Sequence, residues 1–138
     1  MNTNEIEYAL RKNRILQGVY AADELPTENY IRPALFISNT QESCLPGEHW
    51  IAIYFPPTGP AEFFDSFGRK PFKEVFRKLL GYPYIYNKRV VQSLTSDRCG
   101  FHVIHYAKQR SSGVPMKQIL KQYSNNLDEN DAFVTYNK

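Results

Sequence analysis

The hydrophobic and polar positions of the chain predict strands in its middle and helices towards both ends. Residues 34–38 and 49–55 are short, nearly continuous apolar runs, which are typical of strands buried on both faces. Residues 56–60 contain three prolines and a glycine, and this composition forces the chain to reverse. We therefore expect residues 61–65 to return as the antiparallel partner of the second run, with the outer ends of the hairpin close together.

Helical patterns flank this hairpin. Apolar side chains recur at helical spacing through residues 72–80, and Pro71 and Gly81 are typical of the start and the end of a helix. A helix over residues 5–12 is expected to be capped by Asn4, because a glutamate follows three residues later. The other predicted elements are helices over 99–109 and 115–123 and short strands over 84–86, 90–92 and 132–136.

These elements together predict an α+β fold in which helices pack on a mainly antiparallel central sheet. The chain has 138 residues, of which 42% are hydrophobic and 14% aromatic, so we expect residues 1–138 to form one domain with a substantial core. No stretch approaches the roughly 20 apolar residues of a membrane-spanning helix, and the first ten residues are too polar for a secretory signal. We expect a soluble, intracellular protein.

The charge balance is mildly basic, with 17 Lys and Arg against 14 Asp and Glu. Five basic residues lie close together in the sequence, and one interpretation is that they attract nucleic acid. We favour a solvated helix face instead, because no groove-reading motif accompanies the charge. DNA contact therefore stays a secondary hypothesis. The five residues are Arg69, Lys70, Lys73, Arg77 and Lys78.

Four candidate catalytic residues follow one another along the chain as His49, Asp65, Gln92 and Cys99. Cys99 opens a predicted helix, where free N–H groups and the helix dipole favour a thiolate. His49 would take the thiol proton and then protonate a leaving amine, while Asp65 would hold its other ring nitrogen. Gln92 would place its amide beside the backbone N–H of Cys99 as an oxyanion donor. This set predicts a cysteine peptidase that uses no metal and no cofactor.

Each of these residues also has a purely structural interpretation. A free cysteine is commonly a small buried hydrophobe, and an aspartate at the position of Asp65 suits a turn. Polar residues precede Cys99 and Gly100 follows it, so its surroundings are a poor core, which favours catalysis. His102 and His105 are the other candidate bases, but both follow Cys99 on the same predicted helix and are expected to pack or to face solvent.

The motifs around these residues resemble those of a known group of enzymes. The sequence is similar to the adenovirus-type cysteine proteases, more closely to the proteases of Polinton (Maverick) elements and virophages, and distantly to the SUMO proteases. The likeness covers nearly the whole chain. The residues that carry it are 16–20, 23–26, 34–39, His49-Trp50, 64–68, Gln92 and 97–100.

The resemblance implies an adenain-like fold with the nucleophile at a helix N-terminus. It implies an endopeptidase that cleaves capsid or other virion precursors at small, glycine-containing sites. It matches Cys99 to the nucleophile, His49 to the base, Asp65 to the orienting acid and Gln92 to the oxyanion donor. It also matches Trp50 to an aromatic residue beside the cleft that narrows the channel for substrate. Simple filling of the core is an equal interpretation of Trp50.

Partners and alternative functions follow from the same resemblance. Only 39 residues follow Cys99 and no cysteine lies between Asp65 and Gln92, so a disulfide-tethered activating peptide is not expected. We expect a monomer that acts on polypeptides in a host nucleus or a cytoplasmic viral factory, or inside the virion. DNA or a peptide remains a candidate activator. The alternative enzyme is an isopeptidase that removes SUMO or ubiquitin after a Gly-Gly tail, and the noncatalytic alternative is a DNA-binding or assembly protein.

Overall fold

The computed structural model describes residues 1–27, 30–42 and 49–136. Its centre is a five-stranded sheet with the strands in the order of the sequence. Helices pack on both faces of the sheet, so the predicted α+β class is confirmed. The strands are β1 (Leu16–Tyr20), β2 (Ala34–Asn39), β3 (Trp50–Phe55), β4 (Ala61–Phe64) and β5 (Tyr84–Tyr86), and the helices are α1 (Thr3–Ala9), α2 (Glu74–Leu80), α3 (Cys99–Ser111), α4 (Met116–Lys121) and α5 (Leu127–Tyr136).

The sheet is mixed, whereas the sequence predicted a mainly antiparallel one. Its three central strands, β2, β3 and β4, pair antiparallel with one another, and the predicted hairpin of β3 and β4 is present. The two edge strands, β1 and β5, pair in parallel with β2 and β4. The difference arises because long connections precede β2 and β5, and such connections let a chain return in the same direction.

Side chains of β3 alternate between two hydrophobic clusters, one on each face of the sheet. This explains why the whole strand is apolar, since neither of its faces meets water. The central position of β3 gives His49, the residue that immediately precedes it, a rigid support. Trp50, Ala52 and Tyr54 join the cluster that includes α3, and Ile51, Ile53 and Phe55 join the cluster that includes α2.

Helix α3 is held against the sheet by stacking and by a buried ion pair. The ring of Tyr106 stacks on Phe64 of β4, with ring centroids 4.5 Å apart. Arg110 donates from Nε and Nη2 to the two carboxylate oxygens of Glu62, each at 2.9 Å, and the Tyr106 hydroxyl donates to the same carboxylate. These contacts fix the helix that begins at Cys99 relative to the β3–β4 hairpin.

Two predicted elements near the ends of the chain differ from the structure. The first helix begins two residues earlier than predicted, because Asn2 and Glu5 form the capping box. Residues 132–136 belong to α5 and are not a strand. A short apolar run is ambiguous between strand and helix, and here Val134 packs into the same core as α3.

Elements around the sheet edges also differ from the predictions. Strand β1 was not predicted, and α2 begins at Glu74 rather than beside Pro71. Residues 90–92 do not form a strand. Arg89, just before them, donates to the carbonyl groups at the end of α4, which anchors this stretch to the helical layer. None of the helices in the described part of the chain has the length and apolar character that crossing a bilayer requires.

We predict that Arg110→Met lowers the free energy of unfolding by about 3–5 kcal/mol, because it leaves the buried Glu62 carboxylate without its cation. Chemical denaturation measures this change. The matched control is Lys78→Met, which removes an exposed pair with Glu74 at 3.5 Å and should leave the midpoint nearly unchanged. Equal, small shifts for the two variants would contradict the anchoring role of Arg110.

Candidate active site

His49 and Asp65 lie side by side at the open end of the β3–β4 hairpin, opposite its turn. The antiparallel register, with Ala52 opposite Phe64, brings the start of β3 and the end of β4 together. His49 Nε2 lies 2.7 Å from Asp65 Oδ1, and both side chains are buried. The proximity that the hairpin predicted is therefore confirmed.

Groups other than the His49 imidazole also bond Asp65. Its Oδ1 also accepts from the Phe67 backbone N–H at 2.8 Å, and its Oδ2 accepts from Arg69 Nε at 2.8 Å. Asn87 bonds the Asp65 main chain through both its amide nitrogen and its amide oxygen. Burial by itself raises the pKa of the Asp65 carboxyl, but the hydrogen bond and charge of His49, with Phe67 and Arg69, outweigh it and lower this pKa.

The turn after Asp65 also supports the imidazole ring. The ring of Phe67 stacks on that of His49 with centroids 4.6 Å apart and planes 16° from parallel. Gly68 donates its N–H to the Asp65 carbonyl at 2.7 Å and has a φ of +72°. A Cβ at this glycine would lie 2.7 Å from the Arg89 backbone, so the turn requires glycine on grounds of both conformation and space.

Cys99 is the first residue of α3, and the helix start leaves N–H groups available to its sulfur. Arg98 at the N-cap makes no side-chain capping hydrogen bond, and the first turn has no acidic residue. The backbone N–H groups of Trp50 and Gly100 favour the charged form of the sulfur. A thiolate here would thus supply the negative charge that a helix N-terminus favours.

The thiol and the imidazole shift each other's pKa in opposite directions. Burial raises the pKa of the Cys99 thiol, but the hydrogen bond and charge of His49, with the two backbone N–H groups, outweigh it and lower this pKa. Burial lowers the pKa of His49, but Asp65 and Cys99 outweigh it and raise this pKa. Because Asp65 occupies Nε2, Nδ1 is the ring nitrogen left for the sulfur. These shifts favour a thiolate–imidazolium pair.

Gln92 lies in the same cleft with its amide held at both ends. Its Oε1 accepts from Ser66 Oγ at 2.5 Å, and its backbone N–H donates to the Ser66 carbonyl at 3.2 Å. Its Nε2 donates to the carbonyl and to Oγ of Ser96, at 3.0 and 3.1 Å. To donate to an oxyanion, Gln92 Nε2 would have to give up one of its two hydrogen bonds to Ser96. The oxyanion role of Gln92 therefore stays a prediction.

A cleft of about 250 Å³ joins these groups, and His49, Cys99 and Gln92 all line it. Trp50 also lines the cleft, and it belongs to the hydrophobic core as well. Its position therefore fits both a residue beside the cleft and a residue that fills the core. Its indole Nε1–H donates to the Met1 carbonyl at 2.9 Å. Among the residues that the structure describes, no group of His, Cys, Asp and Glu side chains is arranged to hold a metal ion.

The other two histidines bond away from the thiol. His102 Nε2 lies 2.8 Å from Asp131 Oδ1, and its Nδ1 lies 3.2 Å from the Tyr123 hydroxyl. His105 Nε2 bonds Gln122 Oε1 at 2.7 Å. The prediction that both histidines pack or face solvent is therefore confirmed, and they tie α3 to the two helices that follow it.

A larger cavity lies elsewhere on the molecule. It measures about 540 Å³ and is lined by residues that follow α1 and by the end of α3, including Lys12, Arg14 and Lys108. No thiol, imidazole or carboxylate lines this cavity, so its lining offers no catalytic nucleophile or base of these kinds. The smaller cleft at Cys99 is the candidate active site.

Several supporting residues were not identified from the sequence. Arg69 was grouped with other basic residues, although it pairs with Asp65. Ser66 and Phe67 lie in the 64–68 motif, which could have directed attention to them. Asn87 lies between the predicted strands 84–86 and 90–92, and nothing in the sequence singles out this residue or Met1. The second cysteine of the chain, Cys44, is expected from its polar surroundings in the sequence to be an ordinary loop thiol, and it lies outside the described residues.

Comparisons with known proteins support the fold. The chain is similar to the crystal structure of the selenomethionine ASFV pS273R protease, with a TM-score of 0.52 and 24% sequence identity. The match covers 76% of this chain and 44% of that one, so this chain spans less than half of the length of the protease. At this identity the likeness shows a shared fold. No protein-family model matches the sequence, and no curated protein matches it.

We predict that the alkylation rate of Cys99 by iodoacetamide has a pH midpoint below about 8.5, the value for a free cysteine. In His49→Gln the midpoint should rise, because burial then becomes the main influence on the pKa of the thiol. His105→Gln, altered at a ring that bonds Gln122, should keep the wild-type midpoint. Peptide mapping separates Cys99 from Cys44, and an unmoved midpoint in His49→Gln would contradict the ion pair.

Proposed function

We propose that this chain is a cysteine endopeptidase with Cys99 as nucleophile, His49 as base and acid, and Asp65 as the orienting carboxylate. The observation that carries the proposal is that the hydrogen-bonded Asp65–His49 pair and Cys99 meet in one cleft, where the thiol and the imidazole shift each other's pKa towards the charged pair. Such an arrangement activates a nucleophile near neutral pH. The shared fold with the ASFV pS273R protease supports the same class of chemistry.

The proposed reaction begins with attack of the Cys99 sulfur on a peptide carbonyl carbon. The carbonyl oxygen becomes an oxyanion, which the Cys99 backbone N–H and the Gln92 amide would stabilise. When the C–N bond breaks, the His49 imidazolium gives its proton to the leaving amine and a thioester remains. His49 then takes a proton from water, the resulting hydroxide attacks the thioester, and the acid product leaves as the thiolate is restored.

The proposed substrates are capsid or other virion precursors cleaved at small, glycine-containing sites. The resemblance to the proteases of Polinton elements and virophages supports this substrate class. The cleft is consistent with it, because the aromatic rings of Trp50 and Phe67 line the space beside the nucleophile. The complete set of contacts around Asp65 and His49 argues against a noncatalytic role, which predicts a degraded site.

We predict that the protein cleaves peptides that span glycine-containing sites of virion precursors and that Cys99→Ala abolishes this cleavage. A parallel set of Gly-Gly-linked ubiquitin-like proteins tests the isopeptidase alternative. Mass spectrometry of the products identifies the bond that is cut. The control is His105→Gln, which should retain cleavage because His105 bonds outside the cleft. Undiminished cleavage by Cys99→Ala would sink the proposal, and cleavage of only the Gly-Gly-linked proteins would replace the substrate class.

We predict that Gln92→Ala lowers kcat about 10²–10³-fold, the loss expected for one oxyanion donor, with a smaller change in KM. The matched control is Gln118→Ala, because Gln118 is an exposed glutamine of α4. Steady-state cleavage of the best peptide from the panel measures both constants. A loss confined to KM would show that Gln92 binds substrate and does not stabilise the transition state.

A further inference from the structure

Met1 lies in the active-site cleft, and the proposed reaction gives it no role. It lines the same space as His49 and Cys99. Its backbone carbonyl accepts a hydrogen bond from Trp50 Nε1 at 2.9 Å. Its side chain lies over Gly100, where an added Cβ would be 2.9 Å from both Met1 Cβ and Sδ. The residue beside the nucleophile must therefore be small for Met1 to fit.

The first helix delivers Met1 to this position. Asn2 accepts from the Glu5 backbone N–H at 2.9 Å and donates its own N–H to Glu5 Oε1 at 3.0 Å, which fixes the start of α1. The helix is anchored by Ile6 and Leu10, both buried in the cluster that also contains Trp50 and Cys99. The core thus brings the start of α1 to the edge of the cleft, and the contacts of Met1 with Trp50 and Gly100 hold the residue inside it.

The contacts of Met1 are of kinds that a residue of a bound peptide can also make. One is a hydrogen bond from a partly buried indole to a backbone carbonyl, and the other is contact of a flexible, unbranched apolar side chain with a glycine. Neither contact depends on a group specific to the first residue of the chain. A substrate residue bound beside Cys99 could make both in its place.

We propose that Met1 occupies a substrate subsite and competes with the substrate for it. The subsite, formed by the Trp50 indole N–H and the surface of Gly100, takes a residue with an apolar side chain of about the size of methionine or leucine. That a peptide is the competing ligand rests on the proposed function. An intramolecular occupant lowers the apparent affinity for a competing ligand by the fraction of molecules in which the subsite is free.

The test compares Met1→Gly with Met1→Leu, both prepared by release from an N-terminal fusion. Met1→Leu keeps an apolar side chain of similar size and is the matched control. The first measurement is the rate of Cys99 alkylation by iodoacetamide at a pH where the thiol is fully ionised, so that a changed pKa cannot explain a difference. We expect Met1→Gly to react about three- to tenfold faster than wild type, because glycine keeps the carbonyl that Trp50 bonds but loses the side-chain packing on Gly100 that holds it in place, and we expect Met1→Leu to match wild type.

The second measurement is the KM for a peptide that the wild-type protein cleaves. KM should fall by a similar factor in Met1→Gly, while kcat stays the same, because Met1 takes no part in the chemical steps. Trp50→Phe removes the indole N–H and keeps an aromatic ring at this position, so it should also speed alkylation. Adding it to Met1→Gly should give little further gain, because both changes release the same occupant.

The two proposals fail in different ways. Equal alkylation rates and equal KM values in Met1→Gly, Met1→Leu and wild type would overturn the occupied subsite while leaving the peptidase intact. Faster alkylation of Met1→Gly without cleavage of any peptide by any variant would support the occupied subsite and remove the proposed function. A gain in Met1→Leu equal to that in Met1→Gly would also count against the subsite, because leucine preserves the bulk.

Discussion

The buried hydrogen bond between His49 and Asp65 is the interaction on which the site depends. It joins the start of β3 to the residue after β4, so a central hairpin of the sheet sets its geometry. Four groups besides the imidazole bond the aspartate: the Phe67 and Gly68 N–H groups, Arg69 and Asn87. The ring is thereby left with one nitrogen for the sulfur and with a pKa that favours its charged form.

The rest of the fold brings the sulfur to this ring. Helix α3 begins at Cys99 and is locked to β4 by the stacking of Tyr106 on Phe64 and by the Arg110–Glu62 ion pair. Loops that approach the site are tied down as well. Ser66 holds the Gln92 amide, and Asp131 accepts from the Ser93 N–H at 3.4 Å. Among the described residues, no buried polar side-chain atom lacks a hydrogen-bond partner, which indicates that the cleft is preorganised.

Features encoded locally were predictable from the sequence. The β3–β4 hairpin was predictable because two apolar runs flank a turn rich in proline, and the start of α3 because a polar loop precedes its first residue. The proximity of His49 to Asp65 followed from that hairpin. The final helix was predicted as a strand because residues 132–136 are too short and apolar to distinguish the two, and packing against α3 decides the outcome.

Contacts between distant segments were not predictable. Arg69, Asn87 and Met1 acquire their roles from the folded chain, since each meets a partner that no local pattern identifies. The parallel edge strands have the same origin, because their direction depends on how long connections cross the sheet. The sequence identified Gln92 as a candidate site residue. It could not show that the Gln92 amide donates to Ser96, which only the folded chain brings into contact with it.

The central claim is that Cys99 and His49 form a charged pair. An NMR titration of the His49 ring in the wild-type protein and in Cys99→Ala tests it most directly. The pKa of His49 should lie above about 6.5 in the wild type and should fall in Cys99→Ala, because the thiolate that favours the imidazolium is gone. A pKa of His49 that is the same in both proteins would contradict the pairing of ring and sulfur.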